Sequence, residues 1–224
     1  MPSPSESLTT PDAGSVPGSA LDSVLDLAPV VPVVVLESVD HAVPVARALV
    51  DGGLPVIELT LRTAAALDAI RAIADEVPEI LVGAGTVVTP GQVSAAVDAG
   101  AQFLVSPGTT PGLLAELGGS GVPFLPGTAT VSEVMRVLEA GFTEMKLFPA
   151  VASGGTDFLK SVGGPVPAAR FCPTGGITPA TAASYLALPN VGCVGGSWLT
   201  PRDVLAAEDW DAVRRLAAEA AALR

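Results

Sequence analysis

The amino-acid sequence predicts an α/β fold: a single (β/α)8 TIM barrel with a short N-terminal helix. Apolar runs alternate with amphipathic segments about eight times along the chain. Threonine followed by proline recurs where helices are expected to begin. The length of 224 residues suits one barrel, and no internal boundary for a second domain is visible.

The predicted strands are short apolar runs. They are Val31–Leu36, Val56–Leu61, Ile80–Thr86, Phe103–Ser106, Val122–Leu125, Glu144–Phe148, Arg170–Thr174 and Gly192–Gly195. The segments between them place Val and Ala at three- and four-residue intervals, typical of helices packed on a sheet. Eight such repeats favour parallel strands closed into a barrel over an open doubly wound sheet. No Gly-x-Gly-x-x-Gly fingerprint opens a first helix, which disfavours a dinucleotide-binding fold.

Helix starts carry their own sequence signals. Four are Thr89-Pro90, Thr110-Pro111, Thr178-Pro179 and Thr200-Pro201, in which a capping hydroxyl precedes a proline at the first helical position. Thr130 followed by Glu133 is typical of a capping box. Apolar residues at helical spacing, Leu21, Val24, Leu25 and Leu27, predict the short leading helix.

The two ends of the chain differ in composition. Residues 1–19 are rich in Ser, Pro and Gly without a basic or apolar stretch, which predicts a flexible tail and not a secretory signal. Residues 20–224 are expected to form the barrel domain. The longest apolar run, 28–36, is too short to cross a bilayer, so no membrane association is expected.

Charge and cysteine content restrict the partners. Acidic residues outnumber basic ones, 23 against 11, for a net charge of −12, which disfavours nucleic acid and anionic lipid. An anionic substrate must then be attracted by local groups. Two cysteines in a chain of this length favour a reducing, cytoplasmic location.

Lys146 is one of only two lysines and lies in the predicted strand 144–148. Side-chain alternation places Glu144, Lys146 and Phe148 toward the barrel axis, near the carboxyl end where barrel sites gather. Among apolar walls an ammonium loses hydration, so the neutral amine is favoured, and a neutral amine can attack a ketone to form an imine. The alternative is a lysine with a buried stem and a head group that reaches water.

The second strand has a polar face that should point inward, formed by Glu58, Thr60 and Arg62. Glu58 and Arg62 could be a structural ion pair. With Lys146 in the same interior, Arg62 can instead bind a substrate carboxylate through two hydrogen bonds while Glu58 moves protons.

Three further segments border the predicted mouth. Thr86, after the small residues 83–85, either donates to a carboxylate or fills the core. Pro107 belongs to a Ser-Pro-Gly segment, which either shapes the mouth of the barrel or is a rigid turn without a functional role. The pairs Gly175-Gly176 and Gly195-Gly196 end the last two strands, where barrels commonly bind phosphate through backbone N–H groups.

The other chemically reactive residues give little indication of a functional role. His41 is expected to cap a helix or lie on the surface, and Cys172 and Cys193 are expected to be core thiols. No His, Asp, Glu and Cys cluster has metal-ligand spacing, so no metal is expected.

Six segments together resemble the 2-keto-3-deoxy-6-phosphogluconate (KDPG) aldolase / 4-hydroxy-2-oxoglutarate aldolase family. They are 57–63, 82–86, 105–108, 146–150, 170–177 and 195–199, and the similarity runs from about Val31 to the C-terminal helix. Leu147 departs from the family, whose members carry Phe there, but its side chain is expected to face the helices.

The resemblance implies a role for each matching residue. Lys146 would be the Schiff-base lysine and Glu58 the proton shuttle. Arg62 and Thr86 would hold the pyruvate carboxylate, and Pro107, Phe148 and Thr174 would line the site. Gly175, Gly176, Gly196 and Ser197 would bind the phosphate. The resemblance also implies that no cofactor and no metal are needed, because the reaction proceeds through a covalent imine on Lys146. The family assembly is a homotrimer that works in the Entner–Doudoroff pathway.

The expected activity is therefore cleavage of 2-dehydro-3-deoxy-6-phosphogluconate, a phosphorylated 2-oxo acid, to pyruvate and glyceraldehyde 3-phosphate. Three alternatives stay open from the residues. The substrate could be 4-hydroxy-2-oxoglutarate or the galactonate epimer. Glu58 and Lys146 could act as the acid–base pair of a phosphosugar isomerase or epimerase. The barrel could also bind phosphosugars without catalysis.

Overall fold

The computed structural model describes residues 23–223 and contains nine strands and nine helices within that range. The strands are β1 (Val30–Val34), β2 (Val56–Thr60), β3 (Leu81–Gly85), β4 (Phe103–Val105), β5 (Phe124–Leu125), β6 (Gly127–Thr128), β7 (Glu144–Leu147), β8 (Arg170–Pro173) and β9 (Val194–Gly196). The helices are α1 (Ala42–Asp51), α2 (Ala66–Glu76), α3 (Pro90–Asp98), α4 (Pro111–Gly118), α5 (Val131–Glu139), α6 (Gly155–Gly163), α7 (Pro179–Leu186), α8 (Arg202–Ala206) and α9 (Trp210–Ala221). A 3₁₀ turn, Val39–His41, precedes α1.

The strands form two parallel sheets. Six of them pair in the order β5-β4-β3-β2-β1-β9, a curled half-barrel, and the other three pair in the order β6-β7-β8. Each of the eight predicted runs overlaps a strand, and a helix follows each repeat. The prediction of an α/β fold with a parallel sheet is confirmed. Among residues 23–223, no helix is both long enough and apolar enough to cross a bilayer.

The fifth strand of the fold is divided in two by Pro126, whereas the sequence predicted only a single run, Val122–Leu125, that ends before this proline. β5 pairs with β4, whereas β6, two residues later, pairs with β7. Proline has no N–H group to donate to a sheet, so it suits a point where pairing changes. Its carbonyl still accepts from the Lys146 N–H at 3.0 Å. This hydrogen bond therefore connects β7, the strand that carries Lys146, to the residue that follows β5.

The helix-start predictions are confirmed at most positions. Thr89, Thr110 and Thr130 each accept a hydrogen bond from the backbone N–H three residues on, at 3.3, 3.2 and 3.3 Å. The prediction at Thr200 is wrong. Pro201 is extended, with ψ of 145°, so α8 begins one residue later at Arg202 and no threonine hydroxyl caps it.

The predicted leading helix is also wrong over its described part, because Val24 to Leu27 form turns and bends. The Ser23 hydroxyl accepts from the Leu25 N–H at 3.0 Å, a local bond that competes with helix formation. Leu25 is fully buried against Gly192. Leu21 and the predicted tail, residues 1–19, lie outside the described residues.

An ionic cluster ties this segment to the starts of β7 and β8. The Arg170 guanidinium donates to Asp26 at 2.6 and 3.2 Å and to Glu144 at 2.8 Å. The Ser23 hydroxyl donates to the same Glu144 oxygen at 2.7 Å. Burial raises the pKa of Glu144 above its ordinary value of 4.5, against the effects of Ser23 and Arg170.

The raised pKa of Glu144 predicts a change in the pH dependence of stability. The folded state holds this proton more tightly than the unfolded chain. The contribution of Glu144 to the free energy of unfolding therefore declines as the pH rises from about its ordinary pKa of 4.5 through its raised folded value. Glu144→Gln should remove that decline, as measured by urea unfolding across the acid range. The exposed Glu116→Gln should retain it, and equal slopes in all three proteins would contradict the prediction.

Candidate active site

A buried lysine–glutamate pair lies between the two sheets. Lys146 on β7 and Glu58 on β2 are 5% and 2% exposed, and Lys146 Nζ donates to Glu58 Oε1 at 3.1 Å. These residues are 88 positions apart in the sequence, on strands of different sheets. The structure thus brings together the two side chains that alternation assigned to the interior. A carboxylate within hydrogen-bond distance of the amine can accept its proton and leave it nucleophilic.

Gly85 makes room for this pair, a role that sequence reasoning missed. A methyl group added at its Cα would overlap the Glu58 carboxylate. The Gly-Ala-Gly run pointed only to open space at the centre of the barrel. Glycine at this position allows the carboxylate to approach the backbone of β3.

Gly85→Ala is therefore expected to displace the Glu58 carboxylate from Lys146. A shift of about 1 Å in a group that acts in a reaction costs on the order of a hundredfold in rate, so we expect kcat/KM of a reaction that uses Glu58 to fall by about that factor. Steady-state kinetics would measure it. Gly91→Ala is the matched control, because its added methyl would contact nothing within 4 Å. Equal activity of the two variants would show that Glu58 has space to move.

Arg62 and Thr86 meet at the carboxyl ends of β2 and β3. Arg62 Nε donates to Thr86 Oγ1 at 3.3 Å, and Arg62 is exposed. Thr86 has a φ of 60°, a left-handed conformation that is uncommon for a β-branched residue and is concentrated at functional sites. One guanidinium and one hydroxyl thus lie together at the edge where the strands end, a suitable combination for a carboxylate ligand.

Phe148 covers the amine from the following turn. Lys146 Nζ lies 5.6 Å from the centre of its ring. The ring also lies over Gly175, where a Cβ would be 3.3 Å from it. A backbone hydrogen bond from the Ala150 N–H to the Thr174 carbonyl, at 2.7 Å, joins this turn to the end of β8. An aromatic wall therefore connects the amine to the first glycine pair.

The two glycine pairs lie side by side. Gly175 and Gly176 have φ values of 102° and 81°, which favour glycine, and Thr174 pairs with Gly195 in a parallel bridge. Gly196 is buried and Ser197 is exposed. The backbone at these two adjacent strand ends, next to the exposed Gly176 and Ser197, can present N–H groups to an anion.

The cysteines lie closer to the amine than the sequence indicated. Both are buried, as predicted, and Cys172 is the strand partner of Lys146. The hydrogen bond with Cys193 lowers the pKa of the Cys172 thiol, and the charge of Lys146 acts in the same direction against burial. The Cys172 sulfur is also 3.7 Å from Thr174 Oγ1.

Two other expectations concern metal binding and His41. Within residues 23–223, no group of three or more His, Cys, Asp or Glu side chains is arranged to hold a metal ion. His41 contacts Glu208 at 3.4 Å and the Trp210 ring edge-on, outside the sheet. It immediately precedes α1 but makes no side-chain capping bond.

The chain is an α/β protein with a buried lysine in contact with a carboxylate, a pair of groups that Schiff-base enzymes require. The family model described as KDPG and KHG aldolase matches residues 21–216. The chain belongs to this family.

Named relatives agree with the family match. The chain is 52% identical over 202 residues to the KHG/KDPG aldolase of Escherichia coli K12, covering 90% of this chain and 95% of that one. It is 51% identical over 199 residues to the 2-dehydro-3-deoxy-phosphogluconate aldolase of Pseudoalteromonas atlantica, covering 89% and 93%. A solved structure of the Legionella pneumophila KDPG aldolase, with pyruvate captured at low pH as a covalent carbinolamine intermediate, is 44% identical. It has a TM-score of 0.87 and covers 89% and 97% of the two chains.

Proposed function

We propose that this chain is a class I aldolase, a carbon–carbon lyase that cleaves 2-dehydro-3-deoxy-6-phosphogluconate to pyruvate and glyceraldehyde 3-phosphate. The observation that carries the proposal is the buried contact of 3.1 Å between Lys146 Nζ and Glu58 Oε1. Membership of the aldolase family supports the substrate class.

Imine formation is the first step. Glu58 accepts a proton from the ammonium of Lys146, and the neutral nitrogen attacks C2 of the 2-oxo acid. Glu58 then returns this proton to the hydroxyl group of the resulting carbinolamine, which leaves as water and gives a protonated imine. The Legionella relative with pyruvate bound as a carbinolamine supports this order. No metal takes part, because the protonated imine itself withdraws the electrons.

Bond cleavage follows from the charge on the imine. Glu58, through a water molecule, removes the proton of the C4 hydroxyl group. The C3–C4 bond then breaks, its electron pair moves to the imine to form an enamine, and glyceraldehyde 3-phosphate leaves. Glu58 returns a proton to C3, and water hydrolyses the imine to release pyruvate and regenerate Lys146.

The remaining residues hold the two ends of the substrate. We assign the pyruvate carboxylate to Arg62 and Thr86, whose contact at 3.3 Å supports a shared ligand. Pro107, Phe148 and Thr174 line the space between. We assign the phosphate to the backbone of the two glycine loops, which comprise Gly175, Gly176, Gly196 and Ser197. Local donors of this kind would offset the repulsion of a protein with a net charge of −12.

A second substrate, 4-hydroxy-2-oxoglutarate, is favoured by the E. coli relative, which carries both the KHG and the KDPG names. This substrate would use the same amine and the same carboxylate site. It has no phosphate, so the glycine loops would contribute less to its binding.

Ser197→Asp tests the assignment of the phosphate to the second glycine loop. A carboxylate at this exposed position should repel the phosphate, which raises KM for the phosphorylated sugar acid by about tenfold or more. KM for pyruvate in borohydride trapping should change little. Pyruvate release measures cleavage, and Ser161→Asp, which adds the same charge on α6, is the control. Equal KM values in both variants would place the phosphate elsewhere.

We also infer the setting of this activity. We propose a complete eight-stranded barrel formed by residues 20–224 as one domain, supported by the bridges from Phe171 to Val191 and from Thr174 to Gly195.

We propose a homotrimer, supported by the resemblance and by the exposed apolar side chains Val131 and Met135 on α5. Light scattering on the purified protein tests the assembly. Two buried thiols without a disulfide support a cytoplasmic location.

A further inference from the structure

The backbone of Gly127, at the division of the fifth strand, is held by two side chains from the loop after β4. The Gly127 N–H donates to Ser106 Oγ at 3.1 Å, and the Gly127 carbonyl accepts from Thr109 Oγ1 at 3.1 Å. The two hydroxyl groups are 3.2 Å apart. Ser106 is fully buried and Thr109 is partly buried.

These contacts form a closed ring in which each hydrogen-bonding group donates to the next one in the same sense around the ring. The Thr109 hydroxyl gives its proton to the Gly127 carbonyl, so its oxygen must accept from the Ser106 hydroxyl. The Ser106 oxygen in turn accepts from the Gly127 N–H. Every donor and acceptor in the ring is satisfied, and loss of either hydroxyl leaves a polar group of Gly127 without its partner.

The ring replaces regular strand pairing at this point. The Ser106 N–H donates to the Leu125 carbonyl at 3.2 Å, as in a parallel ladder. The next bond along that ladder would join the Gly127 N–H to the Ser106 carbonyl. It joins the Ser106 hydroxyl instead, so the side chain lets Gly127 leave β4 and pair with β7.

Gly127 links two parts of the proposed site. It is the direct strand partner of Lys146, and the Thr128 hydroxyl next to it donates to the Lys146 carbonyl at 3.2 Å. On its other side the Pro107–Gly108 peptide lies so close that a methyl group on Gly127 would overlap it. The position of Lys146 relative to Pro107 therefore depends on how Gly127 is held.

We propose that Ser106 and Thr109 are positioning residues for imine formation, which fix the amine of Lys146 against the wall at Pro107 through Gly127. The inference rests on the proposed aldolase function and adds two residues that do not touch the substrate. Their hydroxyl groups act through the backbone, and a small displacement of the amine from the C2 carbonyl slows its attack.

Thr109→Val and Thr109→Ser form the decisive pair, because valine keeps the volume and serine keeps the hydroxyl. Thr109→Val should lower kcat/KM for the phosphorylated sugar acid, and the rate of borohydride-trapped imine at saturating pyruvate, by about tenfold. Thr109→Ser should restore both to within about threefold of the unmodified protein. Ser106→Ala should lower both by about tenfold to a hundredfold where it folds.

Ser120→Ala is the matched control for stability. The Ser120 hydroxyl also makes turn bonds, to the Leu117 carbonyl at 2.7 Å and from the Val122 N–H at 3.4 Å, but before β5. It should lower the melting temperature without slowing imine trapping. The inference is overturned if the unmodified protein releases pyruvate while folded Thr109→Val traps imine at the same rate. Absence of pyruvate release by the unmodified protein would instead overturn the proposed function.

Discussion

Lys146→Ala is expected to abolish reductive trapping of pyruvate and to lower kcat/KM by about four to six powers of ten. Lys146 supplies an amine in contact with the buried Glu58 carboxylate, and an amine can bond covalently to a keto carbon. Sodium borohydride with pyruvate should add mass to the unmodified protein at one lysine, and peptide mapping should locate it at position 146. The variant should gain no mass.

Lys160→Ala provides the control for this experiment, since the chain has only these two lysines. Lys160 is exposed on α6 and lies 3.8 Å from Asp157, so its loss should leave trapping intact. Lys146→Ala also leaves Glu58 buried without its cationic partner, which destabilises a fold. Trapping is therefore compared at a temperature where circular dichroism shows both variants folded. A pyruvate adduct on folded Lys146→Ala would defeat the mechanism.

Glu58→Gln is expected to slow cleavage by about two to four powers of ten while part of the imine formation survives. Glutamine keeps the size of the side chain and can still contact Lys146, but it cannot take up a proton. The loss should therefore fall mainly on kcat for C3–C4 cleavage and on exchange of the pyruvate methyl protons with deuterium.

Proton exchange followed by NMR spectroscopy measures this step apart from trapping. Glu116→Gln, on the exposed side of α4, should exchange at the rate of the unmodified protein. If Glu58→Gln exchanged equally fast, another group would have to move the proton. A protein that exchanged protons without ever forming an adduct would support the isomerase alternative.

The alternation of side chains along each strand is a local property, and it was enough to select the inward residues. Glu58 and Lys146 were assigned to the interior because neighbours on a strand point to opposite faces. Threonine before a helix and glycine after a strand are equally local signals. The threonines correctly located most helix starts, and Gly175 and Gly176 do follow a strand, where the structure gives them left-handed φ values.

Local signals were insufficient where a contact decided the conformation. Residues 23–28 have helical spacing, but the Ser23 hydroxyl binds the Leu25 N–H and Leu25 packs against Gly192. The space that Gly85 leaves for Glu58 depends equally on the fit between two strands. Neither contact leaves a periodic pattern in the sequence.

The sequence by itself determined the α/β class, the approximate positions of eight strands and the residue types available for imine chemistry. Only the tertiary structure decided that Glu58 Oε1 lies 3.1 Å from Lys146 Nζ, and that the fifth strand changes partner at Pro126. Side-chain alternation depends on neighbouring residues along one strand, whereas these two results depend on how distant strands curl toward and pair with one another.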